Sequence, residues 1–222
     1  MPTTPRPSTT TPTPCAMPAN AVQADTPAQW RAWLEAHHGQ KQGVWLVLWK
    51  KASGRAALAA EQAVEEALCF GWIDSKPATL DAQRSMLWFA PRKPGTGWSR
   101  VNKARVERLL TSQRMAPAGL RRVEAAKADG SWSALDAIEN LEVPNDLAQA
   151  LAQSPPAATF FDAFPRSVKR NILEWIAQAK TAPTRARRIA ETAQQAAVNV
   201  RANQWRGQQA AKGPKAGPDL AA

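Results

Sequence analysis

The spacing of hydrophobic residues predicts a helix and then a buried strand at the start of the folded chain. Thr26 is a suitable N-cap, and Trp30, Trp33 and Leu34 recur after it at helical spacing. The continuous apolar run at 43–50 is typical of a central strand that is covered on both faces. The first elements are therefore expected to be one helix and one interior strand.

The pattern continues with a second helix, a hairpin and a third helix. Residues 58–70 carry one apolar helical face, and two β-rich segments at 73–76 and 85–90 are joined by a turn. Ser99 is expected to cap the next helix, whose inward positions are predicted to be Val101, Val106, Leu109 and Leu110. The order α-β-α-β-β-α contains no repeated βαβ unit, so it predicts an α+β fold with a small sheet and flanking helices.

After Pro117 the pattern is helical throughout and is interrupted by further prolines. The two ends are rich in Pro, Thr, Gln and Gly, and they have too little apolar surface to offset the entropy of ordering. The sequence therefore predicts four segments: a disordered tail at 1–24, an α+β domain at 25–115, a helical domain at 116–201 and a second disordered tail at 202–222.

Composition adds a strong positive charge to this picture. The 222 residues carry a formal net charge of +11, and they include ten Trp but no Tyr. Such a charge favours anionic partners, namely nucleic acid, phosphorylated ligands or an anionic membrane surface. No apolar run approaches the roughly 18 residues that span a bilayer, and no secretory signal pattern begins the chain. A cytoplasmic location without a transmembrane segment is therefore expected.

Motifs for catalysis or metal binding are missing from the sequence. It contains no HExxH, GxSxG or Walker spacing, and its two histidines, His37 and His38, are adjacent. We therefore predict no catalytic residue set, no metal ligands and no cofactor, and we consider a binding protein the better interpretation than an enzyme.

Rare residues are concentrated at 65–108, which makes this run the candidate site. Asp74 lies between Trp72 and Ser75, at the start of a predicted strand. One interpretation makes Asp74 a ligand-orienting or general-base carboxylate in an aromatic-lined pocket. The other makes it a turn residue that accepts hydrogen bonds from nearby backbone N–H groups. Both interpretations stay open at this stage.

A basic strip follows in the same run. A guanidinium beside an indole, as in Arg92 and Trp98, is suited to holding a phosphate or stacking a base. Ser99 and Asn102 stand at a helix start, where free N–H groups favour an anion. The predicted ligand site comprises Trp72, Asp74, Ser75, Arg92, Trp98, Ser99 and Asn102. The alternative nucleic-acid surface comprises Arg100, Lys103, Arg105 and Arg108. A solvated helix face with Trp98 packed on the core explains the same pattern.

Four stretches of the chain carry a family resemblance: EEALCFGWIDS at 65–75, PRKPGTGWSRVNKARVERL at 91–109, MAPAGLRRVEAAKADGSW at 115–132 and AKTAPTRARRIAETA at 179–193. Through these stretches the chain resembles the YdeI/OmpD-associated family of bacteriocin-protection proteins. The resemblance implies a YjbR/CyaY-like antiparallel α+β domain followed by a small helical OmpD-associated domain. It also implies a role in bacteriocin and envelope-stress tolerance.

Three functional hypotheses follow. The first is a non-catalytic binding protein that holds an anionic ligand or a protein partner at the predicted ligand site. The second is a nucleic-acid-binding module, which the +11 charge permits. The third is a hydrolase-type enzyme that uses Asp74.

Overall fold

The computed structural model describes residues 17–55 and 57–203. The parts of the predicted tails at 1–16 and 204–222 lie outside the described residues. The chain divides into two compact units, one up to Ala134 and one from Leu135 onward. The fold is α+β, as predicted, because a four-stranded sheet with flanking helices is followed by a helical unit.

Among its described residues, 17–55 and 57–134, the first unit contains four strands and four α-helices. Its strands are β1 (Ala21–Gln23), β2 (Val44–Trp49), β3 (Trp72–Thr79) and β4 (Arg84–Pro91). Its helices are α1 (Pro27–His37), α2 (Ala60–Cys69), α3 (Arg100–Thr111) and α4 (Pro117–Ala128), with a short 3-10 turn at Lys51–Ser53. The boundary between the units lies later than the predicted 115/116, because α4 packs against α2 in the first unit.

The sheet is mixed, which corrects the predicted antiparallel sheet. Its strand order is β1-β2-β4-β3, in which β3 and β4 form the predicted hairpin and β2 pairs antiparallel with β4. Strand β1 is parallel to β2, through Ala21 opposite Trp45 and Gln23 opposite Val47. The sequence predicts disorder for residues 21–23, and the structure corrects this. Three residues give no periodic signal, and they form a strand because they pair with the edge of β2.

Strand β2 is central, but among the residues that the structure describes, helices pack on only one of its faces. Val44, Leu46 and Leu48 belong to the main core with residues of α1 and α2. The alternate residues Trp45 and Val47 belong to a separate cluster on the other face. The prediction that β2 is covered on both faces by other elements is therefore wrong. The reason is that a continuous apolar run also fits a strand whose outer face is covered by aromatic and apolar side chains of its own sheet.

Local capping signals are confirmed at two helix starts. The Thr26 side chain accepts a hydrogen bond from the backbone N–H of Gln29, and Ser99 accepts one from Asn102. The inward face of α3 is narrower than predicted. Val106 and Leu109 are buried, whereas Val101 and Leu110 are 59% and 40% exposed, because they lie beyond the edges of the stripe that faces α2.

A buried ionic cluster connects α1, α2 and the segment after α3. The carboxylate of Glu66, whose residue is 3% exposed, accepts a hydrogen bond from Arg31 Nη1 at 2.9 Å and another from Arg114. Arg31 also donates to the backbone carbonyl of Arg114 at 3.1 Å. No local pattern predicts this cluster, because Arg31 and Arg114 lie 35 and 48 residues from Glu66 in the chain.

The second unit is a bundle of short helices with its own core. It contains α5 (Asp136–Glu139), α6 (Asn145–Ala152), α7 (Pro155–Ala163), α8 (Arg166–Ala177) and α9 (Ala182–Ala197). Leu147, Phe161, Ile172 and Ile176 are almost fully buried in this core. In the described part of the chain, no helix has the length and apolar content required to cross a membrane.

An ion pair between α6 and α9 makes the second unit sensitive to acid. The hydrogen bonds from Arg185 to Asp146, at 2.7 and 3.0 Å, lower the pKa of the Asp146 carboxyl. A carboxyl with a lowered folded-state pKa stabilises the fold above its unfolded pKa of about 3.9, and this contribution disappears as the pH falls.

We expect Asp146→Asn to lower the free energy of unfolding at pH 7 by less than about 1 kcal/mol, because the pair is partly exposed. At pH 2 the difference from the unaltered protein should vanish. Urea unfolding at the two pH values measures this. An equal difference at both pH values would show that the ion pair is not its source.

Candidate functional site

The loop after β4 brings Arg92 and Trp98 together. The backbone N–H of Arg92 donates to the carbonyl of Gly71 at 2.9 Å, which anchors the loop beside the end of α2. The Arg92 guanidinium then lies over the Trp98 indole, with its carbon 3.9 Å from the ring centroid. Trp98 is 1% exposed, so this ring is both part of the core and the support of a cation.

The Arg92 guanidinium is buried without a counter-ion among the described residues. The side chain donates from Nη2 to the carbonyls of Thr96, at 3.1 Å, and Gly97, at 2.5 Å, while its Nε has no hydrogen-bond partner. Arg92 is 7% exposed, and desolvation by burial lowers its pKa to about 10. Burying a cation without a carboxylate is unfavourable, so this group is suited to an anion from outside the protein.

A small cavity of about 40 Å³ lies against Arg92. Its polar lining includes Lys93, Arg122, Asp129 and Ser131. Hydrogen bonds from Ser131 lower the pKa of the Asp129 carboxyl, which therefore stays negatively charged at neutral pH. The volume is large enough for one water molecule or one ligand oxygen.

A larger cleft of about 530 Å³ adjoins this cavity and shares Arg122 with it. Its cationic residues are Lys41, Arg121 and Arg122, and His38 also lines it. No Asp or Glu occurs among the described residues of its lining. We name the small cavity and this cleft together the Arg92–Arg122 site.

Two glycines explain why these distant residues meet. Gly71 ends α2 with a positive φ of 76°, and a Cβ at this position would lie 2.5 Å from Cγ of Arg122. A Cβ on Gly119 would lie 2.2 Å from the carbonyl oxygen of Cys69. Only glycine therefore lets α4 lie against the end of α2 and bring Arg122 beside the Arg92 loop. Sequence analysis missed Lys41, Arg121 and Arg122, and the glycine before the paired arginines was the available signal.

The remaining predicted ligand residues have other surroundings. Trp72 is fully buried, and its Nε1 donates to the carbonyl of His38 at 3.0 Å, so it forms the floor of the cleft. Asp74 lies in β3 opposite Phe89, next to a register shift that extends to Pro77. In the described part of the chain, neither Asp74 nor Ser75 lines the Arg92–Arg122 site.

Ser99 and Asn102 are engaged at the start of α3. The Ser99 hydroxyl accepts from the Asn102 backbone N–H at 3.3 Å, and the Asn102 side-chain oxygen accepts from Arg105 at 2.9 Å. These polar groups stabilise the helix start. Their predicted role in ligand binding stays a prediction.

The predicted nucleic-acid strip on α3 faces acidic residues of α2. Arg105 lies 3.7 Å from Glu61, and Arg108 lies 3.0 Å from Glu65. The Lys103 ammonium lies 5.7 Å from the centroid of the Trp132 ring, and Arg100 is exposed at the first position of the helix. Intramolecular pairing therefore reduces the positive charge that this strip offers to a phosphate backbone.

Potential metal ligands do not cluster: among residues 17–55 and 57–203, no group of three or more His, Cys, Asp or Glu side chains is placed to hold a metal ion.

Comparison with known proteins finds one family match within each unit. Residues 22–122 match a family described as a domain of unknown function (DUF8412). Residues 140–199 match the family described as "Bacteriocin-protection, YdeI or OmpD-Associated". No curated protein and no solved structure matches the chain. The YjbR/CyaY-like character of the first unit stays a prediction.

Proposed function

We propose that this protein is a cytoplasmic binding protein that contributes to bacteriocin and envelope-stress tolerance. The premise is the match of the helical second unit to the YdeI/OmpD-associated family of bacteriocin-protection proteins. The protein acts by holding an anionic ligand or the anionic group of a partner. The Arg92–Arg122 site in the first unit is the proposed binding site.

One observation carries this proposal: the Arg92 guanidinium is buried without a carboxylate partner in the described part of the chain. Three further cations surround the adjoining cleft, namely Lys41, Arg121 and Arg122. An oxyanion placed here would receive charge-assisted hydrogen bonds, which are about twice as strong as neutral ones. It would also neutralise a charge that is unfavourable in the free protein.

Inorganic phosphate is the simplest probe of the site. We expect phosphate to bind the full-length protein and to raise its melting temperature, because a ligand that binds only the folded state stabilises it. Isothermal titration calorimetry at low ionic strength measures the affinity. Arg122→Ala should weaken it by about 1.5–3 kcal/mol, the typical contribution of a hydrogen bond to a charged group.

Arg187→Ala is the matched control, because Arg187 is an exposed arginine of α9 in the second unit. It removes the same charge but should leave phosphate affinity unchanged. Equal weakening in both variants would indicate non-specific attraction to a basic protein, and it would contradict the proposed site.

The physiological part of the proposal needs a survival assay. Cells that produce the Arg122→Ala variant at normal levels should lose bacteriocin tolerance, whereas cells that produce Arg187→Ala should keep it. If cells with either variant keep their tolerance, the Arg92–Arg122 site is not needed for protection, and the physiological part of the proposal is wrong. The hydrolase hypothesis gains no support from the cavities, because Asp74 lines neither of them.

A further inference from the structure

The sheet has an outer face that carries a row of tryptophans. Side chains alternate along a strand, so Trp45, Val47 and Trp49 of β2 share one face. The register places Trp88 opposite Trp45 and Arg84 opposite Trp49 on the same face. The opposite face, with Val44 and Leu46, packs on the helices. We name the side with the tryptophans the outer sheet face.

One end of the outer sheet face is an aromatic pair with a lysine above it. Trp45 and Trp88 meet edge to face, with ring centroids 5.1 Å apart. The ammonium of the exposed Lys76 lies 5.5 Å from the Trp45 ring centroid and 5.6 Å from that of Trp88. Both indoles are half-buried, and their N–H groups donate to no acceptor among the described residues.

The other end combines a third tryptophan with arginines. The guanidinium carbon of the exposed Arg55 lies 4.3 Å from the Trp49 ring centroid, and that of Arg84 lies 5.7 Å away. Arg84 is paired with Asp81 at 2.7 Å, and the Trp49 indole donates to Asp25 at 2.9 Å. Arg55 has no carboxylate partner in the part of the chain that the structure describes.

Between these ends the face consists of buried apolar side chains. Val47, Leu80 and Met86 form a small cluster, and its members among the described residues come only from strands and the β3–β4 turn. Trp45 and Trp49 are four residues apart, which is about 13 Å along a strand. The outer sheet face therefore offers two separated aromatic positions, each with an exposed cation beside it.

We propose that the outer sheet face binds single-stranded nucleic acid. Bases stack on the indoles of Trp45, Trp88 and Trp49, and Lys76 and Arg55 move from the rings to contact phosphates. This combination of aromatic platforms and cations is how sequence-tolerant single-strand binding is achieved, because every base has a π face. The cations exceed the two carboxylates of this face, Asp25 and Asp81, so the charge is complementary to a polyanion.

The geometry favours a single strand over a duplex. In a duplex the bases are already stacked on one another, so flat indoles gain nothing from them. A duplex would be held by cations alone, and those on α3 are partly paired with Glu61 and Glu65. This site is separate from the Arg92–Arg122 site, and the two proposals can fail independently.

The test measures fluorescence anisotropy of a labelled oligothymidine of about 12 nucleotides with the full-length protein. The same length of duplex DNA is measured in parallel, both at about 50 and 200 mM salt. We expect tighter binding of the single strand, quenching of Trp fluorescence, and a weaker complex at high salt. Absence of single-strand binding at low salt would overturn the proposal.

Variants then locate the binding surface. Lys76→Glu combined with Arg55→Glu alters only exposed side chains, and we expect it to weaken single-strand binding at least tenfold. Lys180→Glu combined with Arg187→Glu makes the same charge change on the second unit and should have little effect. Equal weakening by both pairs would assign the binding to overall charge and would overturn the proposal.

Two further arms separate the remaining explanations. Trp88→Leu keeps an apolar side chain but loses the base-stacking ring, so it should reduce both binding and quenching, whereas Arg187→Ala, at an exposed position of α9, should leave both unchanged. If a proline-rich peptide binds and the oligothymidine does not, the face belongs to a peptide partner and the nucleic-acid proposal is wrong. If Trp88→Leu does not fold, the variant that combines Lys76→Glu with Arg55→Glu decides the outcome.

Discussion

Replacing Trp98 by alanine is expected to lower the free energy of unfolding by about 3–5 kcal/mol. The indole is 1% exposed, and its loss leaves a cavity that the surrounding sheet and helices fill only in part. The change also removes the ring that supports the Arg92 guanidinium and the 5.1 Å contact with the Trp132 ring. Urea unfolding followed by far-ultraviolet circular dichroism measures the effect without relying on Trp fluorescence.

Trp98→Phe is the matched variant. It keeps an aromatic ring beside Arg92 and removes a smaller volume, so its effect should be clearly below that of alanine. A loss of less than about 1 kcal/mol in Trp98→Ala would mean that the indole is not a core residue.

Because alanine at this position destabilises the fold, a lost survival phenotype in Trp98→Ala does not locate a ligand. Arg122 is the better residue for that purpose, since its side chain is exposed.

Glu66→Ala is expected to cost about 3 kcal/mol of stability. The carboxylate is buried and is the shared acceptor of Arg31 and Arg114, so its removal leaves two guanidinium groups without their nearest partner. The effect falls at the lower end of the range for a broken buried ion pair. The reason is that Arg31 stays partly exposed and lies 3.6 Å from Glu35.

Glu107→Ala on α3 is the control for this change, because Glu107 is exposed. The same urea unfolding experiment should give a change within about 0.5 kcal/mol for the control. If Glu66→Ala is no more destabilising than Glu107→Ala, the cluster contributes nothing to the attachment of α1 to α2. Because Glu66 lines neither cavity of the Arg92–Arg122 site, phosphate affinity in the folded variant should be unchanged.

The candidate site was only partly accessible from the sequence. Arg92 and Trp98 were predicted to act together, and they are close in the chain, so a short loop is enough to bring them into contact. Lys41 and Arg122 come from segments separated by about eighty positions, and their approach depends on where α4 packs. The sequence neighbours of Asp74 predict a site residue, but in the structure Asp74 pairs with Phe89 within the sheet and lines neither cavity.

The sequence by itself determined the local structure of this protein. Periodicity and capping residues specify helices and strands because both act over a few residues, and Thr26, Ser99 and the β3–β4 hairpin illustrate this. Tertiary structure alone decided which surfaces these elements present. The parallel pairing of β1, the row of half-buried tryptophans on the outer sheet face and the buried Glu66 cluster all depend on contacts between distant segments. The physical reason is that packing and strand register are properties of the whole unit, and no local pattern encodes them.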